Sequence, residues 1–452
     1  MKIIVIGANH AGTSFMRTLK VVNPSIEVTA YDRNTNTSFL GCGIAVWVKG
    51  AAKEPEGLFY SSPEELRNKY NINLKTAHEV IRIDRTKKMV VVKDLSTGKE
   101  FNDTYDKLVF AGGSWPIQPK IPGIEYDNIV LSKLYQQAQV LVEKANDKKI
   151  KNVVVVGAGY IGTELVEAFH EKGKHVTLID LSQRVIGNYF GKEFTDEMEH
   201  AMKTAGVQLA LGEKVVSFKS KDGKAVSAVV TDKNEYPADL VVMSVGFRPL
   251  TNVLSDVAKL PNGAIKVNAA QQSIDDENIY VIGDSAALKH CVTHDYEHVA
   301  LATNAVKTGI VAALDIAGVK VPFPGVAGTN AINVFGCNYS STGFTEEVAK
   351  AHGFKAASQY FEDNDRCEFM KKYDKVACKI VYDTETMRLL GVQIGSWGKF
   401  NHTEVNYMFG LAIQKGLTLP EIALTDVFFL PHFNKPFNFF LVPMLKALGI
   451  KY

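Results

Sequence analysis

Dithiol motifs are missing from this 452-residue chain. Its five cysteines, Cys42, Cys291, Cys337, Cys367 and Cys378, form neither C-x-x-C nor C-x4-C. That spacing excludes a disulfide between near neighbours in sequence around Cys42 and makes a zinc site unexpected. An excess of either charge is missing too. Fifty-one basic and 49 acidic side chains give a formal charge of +2, which leaves no electrostatic footprint for nucleic acid and no polybasic patch for a membrane surface. No apolar run approaches the roughly 20 residues that cross a bilayer. The aromatic stretch from Phe428 to Phe440 is broken by Pro431, His432, Asn434, Lys435 and Pro436, and reads as a buried interface. The apolar start, Ile3 to Ile6, runs into a glycine turn without a cleavage site, so no targeting segment is expected there. Reduced thiols in a cytoplasm are the corresponding expectation.

What is present is a plan used twice. Lys2 to Ile6 reads as a short strand, followed by Gly7-Ala8-Asn9-His10-Ala11-Gly12, a helix from Thr13 to Val21, and a second strand, Glu27 to Tyr31, ending at Asp32. Asn152 to Val156 leads likewise into Gly157-Ala158-Gly159-Tyr160-Ile161-Gly162, a helix to Lys172, and a strand, His175 to Ile179, ending at Asp180. Glycines permit the tight turn and the close approach of backbone to a pyrophosphate, which the helix N-terminus attracts. The acid about 20 positions further on accepts hydrogen bonds from a ribose 2′-OH. Asp32 lies 20 residues after Gly12 and Asp180 lies 18 after Gly162. The first copy departs from the fingerprint, with Asn9 in place of the middle glycine. A second internal match supports it: Asp106 to Pro116 repeats Asp239 to Pro249, with Gly113 and Gly246 at one offset. A third apolar strand, Asn278 to Gly283-Asp284, follows the second unit and is expected to close the sheet of the first.

The length suits about three domains. The expected fold class is α/β, with two Rossmann-like nucleotide-binding domains and a C-terminal α+β domain. The expected boundaries are 1–115 with 246–320, 116–245, and 321–452.

Taken with Ser38-Phe39-Leu40-Gly41-Cys42-Gly43 and Phe428 to Pro436, these motifs resemble the pyridine nucleotide–disulfide oxidoreductase superfamily along nearly the whole chain. The similarity is to its single-cysteine branch, which holds water-forming NADH oxidases, NADH peroxidases and coenzyme A disulfide reductases. The resemblance implies FAD in the first unit, NADH in the inserted unit, and a homodimer formed by the third domain. On matching positions it assigns Gly7, Asn9, His10, Ala11, Gly12, Asp32, Cys42, Val80, Ala111, Gly112, Lys133 and Asp284 to FAD. Ala302, Thr303 and Phe429 join that set near the flavin ring. Tyr160, Ile161, Gly162, Asp180, Tyr189 and Gly246 are assigned to NADH; His432 reads either as part of the active site of the partner subunit or as a plain interface histidine.

Cys42 and His10 are the expected catalytic pair. Cys42 stands between two glycines, which leave room for a planar cofactor, and before an expected helix, Ile44 to Val48, whose N-terminus favours a thiolate. A lone thiolate can cycle through a sulfenic acid, reducing a peroxide oxygen to water. His10, in the first turn, is suited to supply or orient the proton for the departing oxygen; the competing reading is a residue that caps the helix. The acceptor is expected to be dioxygen, with hydrogen peroxide as the alternative. The resemblance implies an arginine after Thr-Asn-Ala in the peroxidases, whereas Val306 follows Thr303-Asn304-Ala305 here. Coenzyme A disulfide reductases typically lack the histidine in the first turn. A non-enzymatic NADH-responsive flavoprotein is the reading from another class, and it gives Cys42 and His10 no task.

Overall fold

The computed structural model describes residues 1–52 and 54–451. Two parallel sheets and one antiparallel sheet organise it. In the first parallel sheet, Lys2–Ile6 is central, flanked by Glu27–Asp32 and Lys107–Phe110. Ile3, Ile4 and Val5 are fully buried, as a strand covered on both faces requires. Asn73–Thr76 extends one side and Asp276–Val281 the other. That last strand carries the Gly283-Asp284 segment and returns the chain to the first sheet.

The second sheet repeats this order. Asn152–Val156 lies between His175–Asp180 and Leu240–Met243, with Gln208–Leu211 and Ile129–Leu131 outermost. The fifth strand therefore comes from later sequence in the first unit and from earlier sequence in the second. Each unit also carries a three-stranded meander, formed by His78–Asp84, Met89–Asp94 and Glu100–Thr104 in one and by Val215–Ser220, Val226–Thr231 and Glu235–Pro237 in the other. The connections between the units pair as a two-stranded ribbon, Ser114–Pro116 against Phe247–Pro249.

The C-terminal part is a five-stranded antiparallel sheet, built from Asn330–Val334, Cys337–Gly343, Leu389–Trp397, Lys375–Asp383 and Ala356–Asn364. Helices Asn406–Lys415 and Leu441–Ala447 pack on it. The stretch expected to be buried is exposed in the single chain: Phe428 is 71% accessible, and Phe429, Leu430 and Phe433 are exposed too. Among the described residues no helix is long and apolar enough to cross a membrane.

Candidate functional site

The two glycine turns coincide in detail. Gly7 and Gly157 adopt φ of +97° and +111°, a region that side chains disfavour. Their N–H groups donate to Tyr31 O and Ile179 O, both at 2.8 Å. A Cβ on Gly12 would stand 1.9 Å from Gly7 O, and one on Gly162 would stand 1.9 Å from Gly157 O. The third glycine of each motif is thus the place where helix and strand touch.

The acids match as well. Ala8 N–H donates to Asp32 Oδ2 at 2.6 Å and Asn34 N–H to Oδ1 at 2.7 Å. Ala158 N–H donates to Asp180 Oδ2 at 2.6 Å and Ser182 N–H to Oδ1 at 2.6 Å. Each carboxylate is held by the backbone at the mouth of its turn, with lone pairs left for hydroxyl donors. Burial nevertheless pushes the Asp32 carboxyl above its ordinary range, against the lowering effect of those N–H groups.

Beside the first turn lies a cavity of about 360 Å³. Gly7, Asn9, His10 and Ala11 line it from the turn, and Asp32, Ala111 and Gly112 from the strand ends. Val80, Lys133 and Asp284 complete it. Ser114 Oγ–H donates to Asp284 Oδ2 at 2.7 Å, and Lys133 Nζ pairs with the same oxygen at 3.5 Å. Helix His10–Val22 has no side-chain cap and no acid in its first turn, so its free N–H groups have no internal competitor for an anion. These features fit the dinucleotide FAD. Of the other expected residues, Gly12 is packed beneath the turn, whereas Cys42, Ala302, Thr303 and Phe429 are exposed and outside the cavity lining.

Cys42 sits in a 3-10 turn, Gly41–Gly43, that leads into helix Ile44–Lys49. A Cβ on Gly43 would meet the end of the Leu58 side chain, Cδ2, at 2.5 Å, and one on Gly41 would stand at ordinary contact distance, 3.5 Å, from Lys133 O. The expected pull of the helix N-terminus on the thiol is opposed by its surroundings. Cys42 is exposed in the single chain, yet loss of solvent around the sulfur raises its pKa; a backbone hydrogen bond lowers it, and the Glu164 carboxylate raises it further. Glu164 is itself raised to about 7, by burial first and by Glu167 second.

His10 is the first residue of its helix, not the cap. Its ring stacks on Tyr60, with centroids 5.6 Å apart and planes 9° from parallel, and Nδ1 lies 3.2 Å from Tyr60 Oη. Burial lowers its pKa, Asp284 raises it, and Lys133 lowers it further. His432 is exposed in the single chain.

A second cavity, about 290 Å³, lies at the second turn, lined by Gly159, Asp180, Ser182, Arg184 and Tyr189 among others. Tyr160, Ile161, Gly162 and Gly246 stand outside that lining. The Tyr160 ring meets Tyr189 edge-on at 4.8 Å, and its hydroxyl donates to the Asn330 side chain in the C-terminal sheet. Helix Tyr160–Glu171 also lacks a first-turn acid and a side-chain cap, so this site fits the nucleotide NADH by the same reasoning. Sequence reasoning passed over Tyr60, Ser114 and Glu164, which reach the site from distant positions. Among the described residues no group of His, Cys, Asp or Glu is placed to hold a metal ion.

The model of the pyridine nucleotide-disulphide oxidoreductase family matches residues 1–309, and that of its dimerisation domain matches residues 330–438. The chain is 48% identical over 473 residues to the NADH oxidase of Mycoplasma pneumoniae, covering 100% of this chain and 98% of that protein. It is 32% identical over 434 residues to the CoA-dependent NAD(P)H sulfur oxidoreductase of Pyrococcus furiosus, covering 96% of each. Among solved structures, the water-forming NADH oxidase from Lactobacillus brevis bound to NADH superposes with a TM-score of 0.95 at 40% identity, over 99% of this chain and 98% of that one. The paired glycine turns and these matches agree, and the chain belongs to the pyridine nucleotide-disulphide oxidoreductase family.

Proposed function

We propose that this protein is a water-forming NADH oxidase: dioxygen, two NADH and two protons give two water and two NAD⁺. The observation that carries the reading is the juxtaposition of a lone cysteine turn, Gly41–Gly43, with the cavity of the first glycine turn, where Gly41 abuts Lys133 and Lys133 pairs with Asp284. FAD, bound in the first cavity, supplies two-electron transfer between NADH and the acceptor. The remaining work belongs to the chain. Asp32 and Asp180 orient ribose hydroxyls, and the two helix N-termini hold the diphosphates. The Cys42 thiolate attacks one oxygen of hydrogen peroxide; a sulfur–oxygen bond forms, the oxygen–oxygen bond breaks, and the departing hydroxide takes a proton to become water. His10 holds that proton or its donor in place. Two electrons and two protons then return the sulfenic acid to the thiol, releasing the second water. Val306, standing where the peroxidases carry an arginine, supplies no cationic donor for a peroxide anion, which favours dioxygen as the acceptor.

The exposed aromatic stretch and the dimerisation-domain match support a homodimer in which Phe429 and His432 approach the FAD of the partner subunit. Ala302 and Thr303 are assigned to the flavin end of the same site, and Tyr160, Ile161, Gly162 and Gly246 to the nicotinamide end of the second. The division into 1–115 with 246–320, 116–245 and 321–452 follows the two sheet orders, and the cytoplasm suits a working thiol. The test is stoichiometry in aerobic buffer. Two NADH consumed per dioxygen, without accumulating peroxide, is the expected result. One NADH per dioxygen with equimolar peroxide, or negligible turnover, refutes the proposal.

A further inference from the structure

His10 is held by more than its own turn. Ser38, in the left-handed region at φ +55°, joins three segments of the site. Its N–H donates to Ala8 O at 3.1 Å, inside the glycine turn that carries His10. Its hydroxyl accepts from Ser61 N–H at 2.8 Å and donates to Ser61 O at 2.5 Å. Four residues beyond Ser38 stands Cys42. The neighbouring Leu40 N–H donates to Leu58 O at 2.8 Å, and Phe39 pairs with Phe59 in an antiparallel bridge. The Leu58-to-Ser61 segment is therefore fastened along the approach to Cys42. Tyr60 is fixed on that segment, face to face with the imidazole.

We infer that Tyr60 is a positioning residue for His10: its hydroxyl donates to Nδ1, so that the neutral ring carries its proton on Nε2. The contact alone permits either direction. Two features select one. A phenol O–H is the stronger donor of the two and an imidazole nitrogen the stronger acceptor, so the 3.2 Å contact favours Oη–H on Nδ1. Burial, which pushes the phenol up to about 12, keeps that proton in place. At His10 burial outweighs the nearby Asp284 carboxylate, and Lys133 acts with burial, so the imidazolium is disfavoured, which leaves a neutral ring with one acceptor nitrogen. A phenol proton on Nδ1 satisfies both partners, and Nε2–H is then the donor left to the cavity that His10 lines. The parallel stack fixes the ring plane, and the hydroxyl fixes which edge donates.

The tautomer stands independently of the oxidase reading; its catalytic consequence rests on that reading. The experiment uses flavin-loaded, full-length protein carrying ¹⁵N-histidine, with the His10 signals assigned by their loss in His10→Gln. Wild type is expected to show a protonated Nε2 and an unprotonated, acceptor-type Nδ1. Tyr60→Phe keeps the stacked ring and removes the hydroxyl, so its His10 signals are expected to move toward a tautomer mixture. The same variant is expected to slow reduction of added peroxide about 10-fold, a fraction of the full effect of a general acid. An Nδ1–H tautomer in wild type, or His10 signals unchanged by Tyr60→Phe, overturns the inference. Peroxide as the wild-type product with the predicted tautomer intact overturns the oxidase reading and leaves the positioning of His10 standing.

Discussion

The two glycine-turn units share a chassis and differ in the connection that leaves the second strand. Strand order, the φ of the first glycine, the close contact at the third and the amide pair on each acid are the same in both. After Asp32, the first unit runs through Ser38, Cys42 and Tyr60 before reaching its next parallel strand at Asn73. After Asp180, the second reaches its next strand at Gln208 through Arg184, Tyr189 and one helix, with no cysteine on the way. On the proposed reading the shared parts bind a diphosphate and a ribose, and the chemistry belongs to the connection, as for many folds whose sites vary by loop.

The largest expected effect breaks that difference. Cys42→Ser should leave both nucleotide units intact, because serine nearly matches cysteine in size. A hydroxyl cannot form the sulfenic acid. NADH should still be consumed aerobically, with hydrogen peroxide appearing nearly one-for-one, measured by a peroxidase-coupled assay. Water as the sole product at the original rate would remove the thiol from the mechanism.

A pair of glycine variants tests the shared chassis. Gly162→Ala places a Cβ 1.9 Å from Gly157 O and 2.7 Å from Ser244 Oγ, so helix and strand must separate. NADH binding, read by flavin quenching or calorimetry, should be lost. Gly159 has open space around its virtual Cβ and a φ of −80°, close to the −92° of Asn9. Gly159→Asn, which copies the first unit into the second, should therefore keep thermal stability within about 0.5 kcal/mol, since asparagine also suits an N-cap. Equal damage from both variants would mean that Asn9 is tolerated for a reason special to the first turn.

Asp180→Ala comes next. Loss of a charged acceptor for the ribose hydroxyl should lower kcat/KM for NADH about 10- to 100-fold, matching the ~1.5–3 kcal/mol such a bond contributes. NADPH should gain relative to NADH, because Arg184 lines the same cavity and its ion pair with the exposed Glu347 is long, at 3.8 Å. Lys174, equally near in sequence, gives no such help. Its ammonium is turned inward, donating to Asp147 O at 2.7 Å and Ile150 O at 2.9 Å.

That contrast explains what the sequence made legible. Strand, glycine turn, helix and acid lie within about 30 consecutive residues, a span that local pattern covers. Asp32, Asp180, Asp284 and the returning strand at Asp276–Val281 could all be read from it. Tyr60, Ser114 and Glu164 could not, because each meets its partner through tertiary packing: Ser114 reaches Asp284 across 170 positions, and Tyr60 reaches His10 across 50. At Lys174 nearness in sequence to Asp180 is no guide to direction, which depends on where its stem packs. At Cys42 the helix position could be read, but the lost solvent around the sulfur and the carboxylate from the other unit, both of which raise its pKa, could not. The glycines around Cys42 also looked like space for a ligand, and one of them holds Leu58.

The smallest effect concerns the point where the units touch electrostatically. Glu164 stands on the nucleotide helix of the second unit, Tyr160–Glu171, and its charge raises the pKa of Cys42 in the first. Because Glu164 is raised to about 7, its charge is itself set near neutral pH. Below that range the carboxyl is protonated and has little influence on the sulfur. Above it the anion opposes a second negative charge on the thiolate. Glu164→Gln removes the anion and keeps the shape, so the thiol should ionise at a lower pH than in wild type. Initial rates of Cys42 alkylation by iodoacetamide, measured from pH 5 to 10 with Cys42→Ser as the blank, read this directly. The variant should react faster than wild type on the alkaline side of pH 7, and the two should converge on the acid side, where both side chains are neutral. Identical profiles across the range would show that the second unit serves the thiol through the nucleotide it holds and not through its own charge.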